Sequence, residues 1–156
     1  MRTPTLLYRG PNVPERPDVM TSSDDMRRAR SSLAEAELAQ RPSDRYLAAH
    51  LTALRVVAIV LTRRTAPRRT EPRGRPRNAW RMLAEVAPEL AEWAAFFAAT
   101  EAKRDAVRAG ATSIVSAREA DDLVRDVEAF LRLVERAVGF SAMRERTIDA
   151  AAATGP

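Results

Sequence analysis

The chain contains one imidazole, that of His50, and Arg45 stands five residues before it in Arg45-Tyr-Leu-Ala-Ala-His50. Histidine is the side chain whose ordinary pKa permits proton transfer near neutral pH. Arg-x4-His is a pairing that metal-independent RNA cleavage uses. The imidazole takes the 2′-hydroxyl proton or returns one to the leaving group, and the guanidinium neutralises phosphate charge in the transition state. Arg45 and His50 are therefore the candidate catalytic residues. Five residues along one α-helix turn about 500°, which leaves the two side chains about 140° apart around the axis. They converge only if Arg45, in the first turn, bends back or a second subunit completes the site. The plainer reading has Arg45 capping locally and His50 packing or hydrogen-bonding near Tyr46.

Arginine is the second chemical signal. Arg63, Arg64, Arg68, Arg69, Arg73, Arg75, Arg77 and Arg81 are opposed within their stretch only by Glu71. Guanidinium groups at this density suit a phosphate backbone and bind it in a salt-sensitive way. Arg63, Arg64, Arg68, Arg69, Arg73, Arg75 and Arg77 are thus the candidate nucleic-acid-binding set. No aromatic residue lies between Arg63 and Arg77, so a base-stacking platform is absent there. The competing explanation is a solvated loop in a protein from a GC-rich genome, whose codons favour Arg over Lys. Lys103 is the one lysine, and the formal net charge is +5.

Other chemistries find no residues to perform them. The chain has no cysteine, which excludes disulfides, thiolate zinc sites and a cysteine nucleophile. One histidine excludes a multi-His metal site, and no Gly-rich phosphate loop or serine-nucleophile elbow occurs. No metal and no cofactor is expected. Trp80, Trp93, Phe96, Phe97 and Phe130 could line a pocket, but aromatics at helical spacing read as core. Asp121, Asp122, Asp126 and Glu128 alternate with Arg118, Arg125 and Arg132, the pattern of a solvated face with i,i+4 pairs such as Asp121–Arg125 and Glu128–Arg132.

Helices must position these residues. Hydrophobic residues make up 46% of the chain, supplied mainly by Ala, Leu and Val, with only 5 Gly and 10 Pro. Alanine and leucine favour helix, and the alternation that a sheet needs is lacking. The expectation is all-α: an up-and-down bundle of four to five helices over residues 22–139, flanked by tails at 1–21 and 140–156. A first helix opens at Ser22 or Ser23, presents Met26, Ala29, Leu33, Ala36 and Gln40, and is ended by Pro42. Ser43 caps a second helix reaching about Thr62–Arg64. Its buried stripe is read as Leu47, Leu51, Leu54, Ala58 and Leu61, thickened by Val56, Val57, Ile59 and Val60.

The Arg/Pro-rich connector spans 65–77. A short third helix covers Asn78–Val86, and Pro88 opens a fourth that Gly110 stops. Ser116-Ala-Arg-Glu119 is a capping box before a face of Ala120, Leu123, Val124, Val127, Phe130, Leu131, Val134 and Val138, with Gly139 as the residue after the helix. No uninterrupted apolar run approaches the roughly 20 residues of a membrane span. The first twenty residues lack the apolar core of a signal peptide. A cytoplasmic protein without membrane contact is expected, starting at Met1 or Met20.

Three stretches resemble the HEPN superfamily, and particularly a small actinobacterial branch of it: Tyr46–Arg55, Val86–Phe97 and Val115–Arg125 running on to Glu135. The resemblance implies a four- or five-helix bundle that dimerises. It also implies ribonuclease activity in toxin–antitoxin, CRISPR-linked or antiviral systems, or nucleotide or RNA binding without cleavage. The superfamily's Arg-x4-6-His signature normally lies late in the domain. Here the one match, Arg45 to His50, lies on the second helix, and Ser116–Val138 holds no histidine. The expectation is a homodimeric, non-catalytic or weakly catalytic RNA- or nucleotide-binding protein. The alternatives are a toxin-like endoribonuclease using Arg45 and His50, with a cognate antitoxin, and a protein-interaction scaffold in stress or DNA-repair work.

Overall fold

Local signals set several helix boundaries in a computed structural model that describes residues 17–65 and 78–153, with side chains from residue 22 onward. The described residues form five α-helices and no strand: α1 (Pro17–Leu38), α2 (Pro42–Thr65), α3 (Ala79–Val86), α4 (Ala91–Arg108) and α5 (Ala117–Ala153). Proline lacks the N–H that a first helical turn leaves unpaired, and its φ is preset for helix. Pro42 accordingly opens α2 one residue before Ser43, and the chain is already helical at Pro17, ahead of the expected start at Ser22 or Ser23.

Asn78 caps α3, its Oδ1 accepting from the backbone N–H of Trp80 at 2.9 Å and of Arg81 at 3.3 Å. A 3-10 turn at Pro88–Leu90 leads into α4. Gly110, at φ 110°, then adopts the left-handed conformation just beyond its end. The capping box forms as read. The Glu119 N–H donates to Ser116 Oγ at 3.1 Å, and the Ser116 N–H donates to Glu119 Oε2 at 2.9 Å. Gly139 does not end α5, which is 37 residues long and runs on to Ala153. A glycine inside a helix costs only about 1 kcal/mol, and the stretch from Ala142 to Arg146 and the alanines from Ala150 onward favour helix.

The central helix is α2, which packs on each of the other four, while α1 also meets α5 and α3 meets α4. By length and composition α2 alone among the described helices could cross a membrane. Half of its apolar stretch is instead buried inside the bundle. Its buried face is Tyr46, Ala49, His50, Thr52, Ala53, Val56, Val57, Ile59 and Val60. This corrects the expected leucine stripe: Leu51 is 48% exposed, Ala58 is exposed, and Leu47, Leu54 and Leu61 are only partly covered. Small and β-branched residues occupy the face that lies closest to neighbouring helices, and the leucines flank it.

The hydroxyls of Ser32 and Thr52 share a buried hydrogen bond of 2.8 Å between α1 and α2. Trp80, Phe97, Trp93 and Phe130 form a run of ring contacts at 5.2–5.9 Å from α3 through α4 to α5. Arg30–Glu135 joins α1 to α5, and Lys103–Glu119 joins α4 to α5. Of the two expected helix-face pairs, Glu128–Arg132 forms. Arg125 pairs with Asp122 instead, because Asp121 is taken by Arg45.

Candidate functional site

Arg45 and His50 leave α2 in different directions. The Nε and Nη2 groups of Arg45 donate to the Ala39 carbonyl at 3.2 and 3.0 Å, and Nη1 pairs with Asp121 of α5. The guanidinium thereby satisfies a carbonyl at the end of α1, where the helix leaves such groups without partners. His50 faces α3 and α4 and is 0% exposed. Its ring meets Trp80 edge to face at 5.6 Å, and neither ring nitrogen makes a well-formed hydrogen bond, although the Phe97 backbone is near enough to act on the ring. Burial, helped by the positive charge of Arg104, lowers the His50 pKa to about 4, against weaker opposite pulls from Glu101, the Phe97 backbone and Asp105. The imidazole is neutral at neutral pH, and the structure does not bring it together with Arg45.

A different pair of arginines stands beside His50. Leu47, Leu51 and Leu54 of α2 and Arg104 and Arg108 of α4 line a cleft of about 310 Å³ with His50 at its floor. Arg104 is mostly covered, its side chain 19% exposed, and its Nε and Nη2 donate to Asp105 Oδ1 at 3.0 and 2.8 Å. Arg108 is exposed at the other end of that helical turn. Arg104 and Arg108 were not singled out in the sequence. Their signal is a like-charged i,i+4 pair, an arrangement that destabilises a solvated helix and therefore asks for a reason.

The arginine-rich stretch enters the described structure only at its first two members. Arg63 and Arg64 sit in the last turn of α2 beside a cleft of about 380 Å³, whose apolar floor includes Val60, Leu133, Val134 and Val138. Arg64 donates to the Val86 carbonyl at 3.0 Å and pairs with Glu89, which holds the Glu89 carboxyl below its ordinary range. Arg63 is partly buried at the same rim. Arg68, Arg69, Arg73, Arg75 and Arg77 lie outside the described residues. No group of three or more potential metal ligands occurs among the described residues.

A family model for SAV_6107-like HEPN proteins matches residues 36–135, from the end of α1 to the middle of α5. No curated protein and no solved structure matches the chain.

Proposed function

The chain belongs to the SAV_6107-like HEPN family, and on that premise we propose that it is a cytoplasmic, homodimeric RNA- or nucleotide-binding protein with little or no catalytic activity. The observation that supports binding is the end of α2. Arg63 and Arg64 border an apolar-floored cleft at the point where the sequence turns into its densest run of arginine. Phosphate on the guanidinium groups and a base or sugar on the apolar floor would use both halves of that surface. Arg45, held by Ala39 and Asp121, and an imidazole with no exposed surface speak against cleavage. A general base must reach the proton it abstracts.

The homodimer is supported by Phe140, Met143 and Ile148. They are 71, 61 and 60% exposed on the part of α5 that runs on past the core. Phe140 and Met143, at i and i+3, are neighbours on one helix face, and exposed apolar neighbours mark a contact surface.

The test is a short single-stranded RNA incubated with the full chain in chelator, followed by anisotropy and gel analysis. We expect intact RNA and salt-sensitive binding, weakened by about 20-fold between 50 and 200 mM salt if three phosphates are contacted. Neutralising Arg63, Arg68, Arg69, Arg73, Arg75 and Arg77 together abolishes binding, whereas His50→Leu leaves it unchanged. Cleavage by the wild type that His50→Ala removes would overturn the reading in favour of a ribonuclease. Absence of any RNA or nucleotide binding at low salt, with a protein that co-purifies stoichiometrically, would replace it with a scaffold.

A further inference from the structure

The α2 leucines and the α4 arginines frame a cleft with no evident structural task. Leu47, Leu51 and Leu54 fall at i, i+4 and i+7, so they make one continuous apolar wall. Leu51 stays 48% exposed, although α2 is the most central helix of the fold. Opposite that wall, Asp105 offsets the charge of Arg104, while Arg108 has no ion pair among the described residues, so the mouth retains about one positive charge. At the floor, a fully buried imidazole has neither nitrogen in a well-formed hydrogen bond, the Phe97 backbone acting on it only weakly. Folded proteins satisfy nearly all such groups, because a buried polar group without a good partner loses its hydration for nothing in return. A leucine at residue 50 would pack the core without that cost.

We propose that this cleft is a binding site for a small carboxylate with an apolar body. The apolar body lies along Leu47, Leu51 and Leu54, and the carboxylate is held at the mouth by Arg108 with Arg104. One net charge matches a monoanion better than a phosphate dianion. A volume of about 310 Å³ stands at the small end of the range for small-molecule sites, about 300–1,000 Å³. The His50 nitrogens are covered in the structure, so a ligand oxygen reaches one only after a side chain at the floor shifts. The neutral ring then offers the ligand oxygen an N–H that the Phe97 backbone engages only weakly. This inference is independent of the RNA reading, since it involves none of the arginines from Arg63 to Arg77.

Octanoate is the probe, titrated into the full chain by calorimetry, with octanol and inorganic phosphate as comparisons. Octanoate should bind at least about ten-fold more tightly than octanol, and Arg108→Gln should remove that advantage while octanol is unaffected. Because Arg108 is exposed, this variant keeps the fold. His50→Leu should weaken octanoate while raising the unfolding temperature. No octanoate binding at millimolar concentration, or binding equal to that of octanol, would overturn the proposal. So would an octanoate affinity indifferent to Arg108→Gln. A dimer that Leu51→Glu splits, in a protein that ignores octanoate, would assign the cleft to a second copy of the chain and overturn it equally.

Discussion

At the scale of single residues, His50 sets how stability depends on pH. A folded-state pKa of about 4, against an ordinary value of 6.5, means that the unfolded chain accepts a proton that the folded chain refuses. Stability is therefore whole above pH 6.5 and declines as pH falls toward 4. It levels off below that, for a total loss of about 3 kcal/mol from this group. Urea unfolding across that window should show a steeper decline in the wild type than in His50→Leu, where only carboxylates such as Glu119 still contribute. At neutral pH the same substitution should stabilise the fold by about 1–3 kcal/mol, because it removes two unpaired polar atoms from the interior. Arg45→Ala should act in the opposite sense. Losing its bonds to Ala39 and Asp121 should cost about 1–3 kcal/mol, since one of them caps the end of α1.

At the scale of elements, the capping box and the aromatic run make the sharpest predictions. Ser116→Ala should destabilise by about 1 kcal/mol, seen as a lower urea midpoint with an unchanged slope. The Glu119 carboxyl, held down to about 2 chiefly by Lys103 and then by Ser116, should titrate closer to its ordinary value in that variant. Phe97→Ala, at the point where Trp80, Trp93 and Phe130 meet, should cost about 3–5 kcal/mol.

Helix number and type were legible because Asn78, Gly110 and Ser116-x-x-Glu119 are local signals that packing did not overrule. The inward face of α2 was not legible. Counting leucines at helical spacing selects the bulkiest apolar side chains, whereas a helix hemmed in on several sides turns Ala49, Ala53 and its valines toward its neighbours. That inversion placed His50 in the interior and left the leucines to line a cleft. Arg104 and Arg108 escaped notice for a related reason. Their meaning depends on what α2 presents to them, and a one-dimensional pattern does not contain that. The length of α5 was missed because Gly139 is a stop signal only when the backbone takes a positive φ, and here it does not.

At the scale of the whole molecule, association should depend on α5 beyond the core. Sedimentation of the full chain should give a dimer, and Phe140→Ser with Met143→Ser should yield a monomer of unchanged helicity, because both side chains are exposed and neither belongs to the interior. A monomeric wild type would defeat this prediction without touching the carboxylate site. The ring contacts have one more consequence. Both tryptophans of the chain stand in the same run of rings, and His50 meets Trp80 edge-on. An imidazolium ion quenches indole emission, so the part of an acid fluorescence titration that His50→Leu removes reports the protonation of that ring, separate from any change at Glu101, which accepts from Trp80 Nε1 at 2.8 Å. The molecule is thus its own optical probe, with no label to attach.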